Sequence, residues 1–300
     1  MAPSSFVLAL GDGEDAAELL KHADLAMYQA KAAGRNTQRF FDPEMQAAAR
    51  ARSVLETELR RGLQLQEMRL YFQPVVDCSG QLQGAEALVR WNHPQRGMVP
   101  PADFIPLAEQ TGLILPLGRQ VLAMACHQLA LWAADPARAG WTLSVNVSAQ
   151  EFRQSEFVQD VLAVLRDSGA DARRLKLELT ESLLLDDPED AITKMSALKA
   201  HGVGFSLDDF GTGYSSLAYL RQLPLSQLKI DQSFVHNLVT DPRATAIVRT
   251  IVTLADSLGL NVIAEGVETQ EQREHLARNG CHTCQGYLYG RPGPVEELMR

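Results

Sequence analysis

The stretch Phe205-Ser206-Leu207-Asp208-Asp209-Phe210-Gly211-Thr212-Gly213-Tyr214-Ser215-Ser216 joins an apolar run to two adjacent carboxylates and then to a glycine-rich turn. Val203, Phe205 and Leu207 alternate with small or polar residues, the period of a strand buried on one face. Gly211 and Gly213 permit the backbone angles of a loop that folds back over a ligand. A strand feeding an active-site loop is the reading. Neighbouring carboxylates 4 Å apart repel by about 4 kcal/mol at an effective dielectric of 20, so Asp208 and Asp209 need compensation, from a shared proton or from divalent cations.

Working outward, short apolar runs alternate with longer helical segments from Leu70 onward, the pattern of parallel sheet built from βα units. Strands are expected over 70–76, 84–91, 143–148, 175–180, 203–208, 227–231, 262–266 and 283–288, and helices over 102–111, 117–133, 152–167, 188–200 and 244–258. Only Asp77-Cys78-Ser79-Gly80 separates the first two strands, which makes them a hairpin, so one of them runs against the others. The expected fold class is α/β, a modified (β/α)8 TIM-like barrel with one antiparallel strand.

In such a barrel the catalytic groups stand at the C-terminal ends of several strands. The polar residues that end the apolar runs are Glu86, Asn146, Glu178, Asp208 with Asp209, Lys229 with Asp231, Glu265 and Gln285. A carboxylate or carboxamide on nearly every strand points to one shared site. The donors are oxygens, without a dense histidine or cysteine cluster, which suits magnesium or manganese better than zinc. Shared protons could not neutralise five carboxylates. If Asp208 bridges two ions, the site becomes a two-metal clamp for in-line displacement at phosphorus. Lys229 on a barrel strand also admits an aldolase-like Schiff base. Asp209-Phe210-Gly211 spells a kinase triplet, but the glycine-rich ATP loop and the His-Arg-Asp motif are missing.

Composition narrows the field. The 300 residues are 46 % apolar and 22 % charged, as in an ordinary globular protein. A net charge of −9 disfavours a polymeric nucleic-acid partner. No apolar run is long enough to span a bilayer, so this segment is expected to be cytoplasmic without membrane contact of its own, any anchor lying in upstream parts of a longer protein. Cys78 and Cys126 stand alone, and Cys281-x-x-Cys284 supplies too few ligands for a closed zinc site, which leaves packing as its reading.

Gly84-Ala85-Glu86-Ala87-Leu88-Val89-Arg90-Trp91 resembles the signature of the EAL family of cyclic di-GMP phosphodiesterases, and further motifs similar to that family's follow in order. They include Tyr71-Phe72-Gln73-Pro74-Val75-Val76, Ser144-Val145-Asn146-Val147-Ser148, Glu178-Leu179-Thr180-Glu181-Ser182, the opening stretch, Leu228-Lys229-Ile230-Asp231, Ala264-Glu265-Gly266-Val267-Glu268 and Cys284-Gln285-Gly286-Tyr287-Leu288. The resemblance implies two Mg2+ or Mn2+ ions, one on Glu86, Asn146, Glu178 and Asp208, the other on Asp208, Asp209 and Glu265. It also implies hydrolysis of cyclic di-GMP to linear pGpG in bacterial second-messenger signalling. Lys229, Glu265 and Gln285 would be catalytic and would manage the attacking water. Gln73, Leu88, Arg90, Asp231 and Glu268 would face the substrate, and Glu181, Gly211 and Gly213 would organise the loop. A homodimer is implied, and the alternative is a silent sensor that binds cyclic di-GMP without cutting it.

At the other end, His22-Ala23-Asp24-Leu25-Ala26-Met27-Tyr28-Gln29-Ala30-Lys31, Gly34-Arg35-Asn36 and Phe40-Phe41-Asp42-Pro43 look like the close of a GGDEF domain. The expected organisation is a GGDEF tail over 1–42, a linker helix over 43–62 and the barrel over 63–300, with GGDEF or sensory domains upstream.

Overall fold

The computed structural model describes Leu20, Asp24, Met27 and residues 43–181, 183, 187–211 and 220–298. The GGDEF-like words therefore lie outside the described residues, apart from Asp24, Met27 and Pro43, as does Gly213. The chain divides into two compact units, Met1–Leu65 and Gln66–Arg300. In the first, Pro43 stands in the opening turn of a helix over Pro43–Gln64, where its missing N–H has no partner to lose.

The second unit is the barrel. Its strands are β1 (Met68–Asp77), β2 (Leu82–His93), β3 (Gly97–Val99), β4 (Thr142–Asn146), β5 (Leu175–Thr180), β6 (Gly204–Phe210), β7 (Gln227–Ile230), β8 (Asn261–Ala264) and β9 (Thr283–Gln285). They run in the order β1-β9-β8-β7-β6-β5-β4-β2-β3, and a β1–β2 pairing closes the ring. β1 is antiparallel to both neighbours, while β2 and β4 to β9 are parallel. The closed α/β barrel with one inverted strand is thus the observed fold, and the inversion follows from the short hairpin at Asp77–Gly80.

Three differences from the sequence reading have local causes. β3 was not anticipated, because three residues are too few to show alternation; it pairs with an extended β2 through Trp91↔Val99 and His93↔Gly97. The helix expected over 152–167 is two pieces, Ala149–Phe152 and Phe157–Ser168. Residues five apart on one helix point about 140° away from each other, whereas the break lets the Phe152 and Phe157 rings meet at 5.2 Å. β9 stops at Gln285, where the chain turns so that the Val267 N–H donates to the Gln285 carbonyl.

The apolar core lies between strands and surrounding helices. Leu175, Leu177 and Leu179 alternate with Lys176 and Glu178 on β5, and the three leucines are fully buried. One face of the strand therefore meets the helical layer and the other meets the barrel axis. The helices over Ile114–Ala133, Pro188–Ala200 and Pro242–Leu258 cover the outside and contact the strands directly. No helix among the described residues is long and apolar enough to cross a membrane.

β2 and β4 pack closely at Gly84, where a Cβ would collide with the Thr142 carbonyl oxygen and lie 2.7 Å from Thr142 Oγ1. Gly84→Ala should cost about 2 kcal/mol, lowering the midpoint of thermal unfolding by roughly 4–8 °C in a domain of this size. An unchanged melting curve would show that the two strands can part without penalty.

Candidate functional site

The parallel strands end on one face of the barrel, and their polar residues converge there on Lys229. Its Nζ lies 2.5 Å from Glu178 Oε2, 2.5 Å from Glu265 Oε1, 3.2 Å from Asp208 Oδ1 and 3.6 Å from Glu86 Oε2. Glu86 is held from two sides, by Asn146 Nδ2 at 2.6 Å and by Gln285 Nε2 at 2.6 Å. Gln285 Nε2 also donates to Gln73 Oε1 at 3.1 Å. The strand register arranges this, since Gln73 pairs with Glu86, and Asn146 with Glu178.

Asp208 and Asp209 present a geometric problem, because adjacent residues of a regular strand point to opposite faces. The β6–β7 register shifts between Leu207 and Phe210, and Asp209 adopts a φ of 53°. This is a bulge of the kind that re-aims a side chain. Aspartate is among the few residues besides glycine that tolerate the left-handed region. The result is that carboxylate oxygens of Asp208, Asp209 and Glu265 lie within 4.8 Å of one another.

Charge decides what such a cluster can do. Burial first, and then neighbouring carboxylates, outweigh the attraction of Lys229 and push Glu178 up to about 8 and Glu265 up to about 7. Burial and the adjacent Asp208 raise Asp209 as well. Glu86 is the exception: burial pushes it up, yet the Lys229 ammonium and its hydrogen bonds bring it below the usual carboxylate range. Burial alone would lower Lys229, but the four carboxylates outweigh that and hold it well above the usual lysine value. Four carboxylates, Glu86, Glu178, Asp208 and Glu265, thus crowd the Lys229 ammonium, and a fifth, Asp209, adjoins them beside Asp208 and Glu265. Hard oxygen donors with surplus negative charge fit divalent cations of the magnesium and manganese type.

The remaining candidates have surroundings of their own. Leu88 and Arg90 follow Glu86 on β2 at two-residue intervals and are half-buried; the Arg90 guanidinium lies 5.6 Å from the centre of the Tyr71 ring. Gly211, at a φ of +98°, faces the Phe234 ring. Glu181 follows β5 with both carboxylate oxygens buried and without a hydrogen-bond partner among the described residues. Asp231 accepts from the Ser233 N–H at 3.0 Å and from the Ser233 hydroxyl as cap of the helix Gln232–His236, and its side chain also meets that of Asp209. Glu268 is exposed, and its N–H donates to Gln272 Oε1 at 2.8 Å. Sequence reasoning missed Tyr71 under Arg90, and Tyr287 under Arg291 at 4.1 Å. Their positions, two residues from Gln73 and Gln285 on the same strands or their extensions, were the available signal.

Fold and site together define an α/β barrel with an acidic cluster, suited to divalent cations, at the C-terminal ends of its strands. The chain belongs to the EAL domain family, which it matches over residues 56–292. It is 46 % identical over 290 residues to the Pseudomonas aeruginosa protein named bifunctional diguanylate cyclase/cyclic di-GMP phosphodiesterase MucR, covering 96 % of this chain and 42 % of that protein. It is 42 % identical over 294 residues to cyclic di-GMP phosphodiesterase NbdA of the same organism, covering 96 % and 37 %. A solved structure described as PaMucR phosphodiesterase, c-di-GMP complex, superposes with a TM-score of 0.78 at 45 % identity, covering 81 % of this chain and 99 % of that one. The chain spans about two fifths of the length of these curated relatives.

Two expectations follow from the geometry. A carboxyl group whose pKa in the fold exceeds its unfolded value binds more protons folded than unfolded. Its contribution to stability is present at low pH and lost as the pH climbs through the folded value. With Glu178 and Glu265 raised from 4.5 to about 8 and about 7, protein stripped of metal should lose stability as the pH rises across that window. Saturating Mg2+ should remove most of the loss; unfolding curves with chelator and with Mg2+ measure both, and a chelator profile that rises with pH would contradict the charge surplus. Separately, Asp209→Asn should preserve the melting temperature, because asparagine also tolerates this backbone. Asp209→Val should cost on the order of 1–2 kcal/mol more, and equal melting temperatures would show that the bulge exerts no strain.

Proposed function

We propose that this chain is a divalent-metal-dependent phosphodiesterase that hydrolyses cyclic di-GMP to linear pGpG by a two-metal in-line mechanism. The observation that carries the reading is a cluster of five carboxylates, four of them around the Lys229 ammonium and the fifth, Asp209, beside Asp208 and Glu265. One ammonium against five carboxylates leaves four negative charges, which two dications would balance. Glu86, Asn146, Glu178 and Asp208 would hold one Mg2+ or Mn2+, and Asp208, Asp209 and Glu265 the other. Bound there, the ions would polarise the phosphodiester and make water more acidic. The names of MucR and NbdA, and the c-di-GMP complex of the PaMucR domain, support the choice of substrate.

The chain's own residues would do the rest. Lys229, protonated among its carboxylates, would donate a hydrogen bond to the attacking water or neutralise charge growing on the phosphate. Glu265, 2.5 Å from Lys229, places an acceptor beside that donor, the pairing needed to orient a water and take its proton. Gln285 fixes Glu86 and would steady the same water network. Arg90, backed by Tyr71, would grip a phosphate with its planar fork of N–H donors. Gln73 and Leu88 would line the substrate groove, with Asp231 and Glu268 at its margin. Glu181, Gly211 and Gly213 would shape the loop after Asp209. A homodimer, and GGDEF or sensory domains upstream, complete the proposal; the greater length of the curated relatives supports the presence of further domains.

Purified protein supplied with Mg2+ or Mn2+ should convert cyclic di-GMP to pGpG, read by nucleotide chromatography. Asp208→Ala and Lys229→Met should each reduce turnover by about 100-fold or more, with circular dichroism unchanged. Tight binding in Mn2+ with no product after long incubation would identify a sensor instead.

A further inference from the structure

The barrel axis carries a second polar layer beneath the carboxylate cluster. Lys176 Nζ donates to Gln227 Oε1 at 2.6 Å, and Gln227 Nε2 donates to Ser206 Oγ at 3.0 Å. Ser206 and Gln227 are buried, and Lys176 is half-buried. Each of the three lies two residues before a member of the cluster above: Lys176 before Glu178, Ser206 before Asp208, Gln227 before Lys229. Side chains of a strand return to the same face every second residue, so each of the three sits below the member of the cluster on its own strand.

The pairing staggers the three from strand to strand. Lys176 is level with Gly204, Glu178 with Ser206, and Ser206 with Gln227. To reach Gln227 on β7 from β5, the lysine side chain has to cross β6. It crosses at Gly204, where a Cβ would stand 3.2 Å from Lys176 Cγ. An ammonium, a carboxamide and a hydroxyl thus tie three consecutive strands together, the ammonium reaching up from a register position two residues below that of Ser206 and Gln227. Apolar residues of similar volume would fill this space with equal or better stability. What a chain of directional hydrogen bonds adds is a fixed offset between the strands.

We infer that Lys176, Gln227 and Ser206 are positioning residues, whose hydrogen-bonded chain sets the relative heights of β5, β6 and β7 and so holds Glu178, Asp208 and Lys229 at their working separations. The inference rests on the phosphodiesterase reading of that site. None of the three touches substrate; they act through the residue two places further along each strand. Misplacement of a reacting group by about 1 Å can cost on the order of 100-fold in rate, so a small loss of register here is kinetically visible.

The double variant Lys176→Met/Gln227→Leu separates positioning from packing, because it removes two of the three partners together and leaves only the small Ser206 hydroxyl without its donor. It should unfold within a few degrees of wild type while kcat falls about 10-fold or more at a KM changed less than about 2-fold. Mn2+ titrated calorimetrically, without nucleotide, should bind more weakly by about 3-fold or more. A stable double variant with wild-type kcat overturns the inference. If the double variant does not fold, Ser206→Ala decides: a kcat reduced about 3-fold or more at an unchanged melting temperature supports the inference, and wild-type kcat overturns it. If wild-type protein makes no pGpG, the phosphodiesterase reading is what has failed. The Mn2+ titration then judges the layer alone, weaker binding in the double variant supporting it and equal binding overturning it.

Discussion

An ammonium buried among carboxylates is the constraint from which the rest of this barrel follows. Lys229 Nζ is surrounded by oxygens of Glu86, Glu178, Asp208 and Glu265, and its side chain is 1 % exposed. Taking ionised groups out of water costs several kcal/mol each, and a single positive charge cannot compensate the acids that crowd it. The raised pKa values of Glu178 and Glu265 express the deficit. A centre of this kind is poised to take up cations and cannot settle electrostatically without them or without protons.

Such a centre is tolerable because the stabilising apolar surface lies elsewhere. On β5 the leucines face the helical layer while Lys176 and Glu178 face the axis, and on β7 Leu228 and Ile230 are buried outward while Gln227 and Lys229 point in. The period of two separates hydrophobic burial from chemistry within the same strand. Polar groups on the axis are then matched with one another, Lys176, Gln227 and Ser206 in a hydrogen-bonded chain and Lys229 with its carboxylates in a charged cluster.

Two irregularities complete the site. The inverted β1 brings Gln73 level with Glu86 and within reach of Gln285 on β9, linking the ring across its closure. The bulge in β6 turns Asp209 towards Asp208 and Glu265, so that one strand contributes two consecutive carboxylates. Both are local departures from a regular barrel, and both place polar groups where regular strands would not.

The residues alone determined the alternation of strands and helices, the inverted strand through the four-residue turn at Asp77–Gly80, and the acidic residues at the strand ends. Each of these is written in local periodicity or in short contiguous motifs. Tertiary structure alone decided that Lys229 sits at the centre of the cluster, that Gln285 reaches Glu86 and Gln73, and that Lys176 crosses β6 at Gly204. These depend on the register between strands far apart in the chain and on the competition of burial against charge. A one-dimensional pattern shows which face a residue takes, but the identity of its neighbour across the barrel is fixed only when the ring closes.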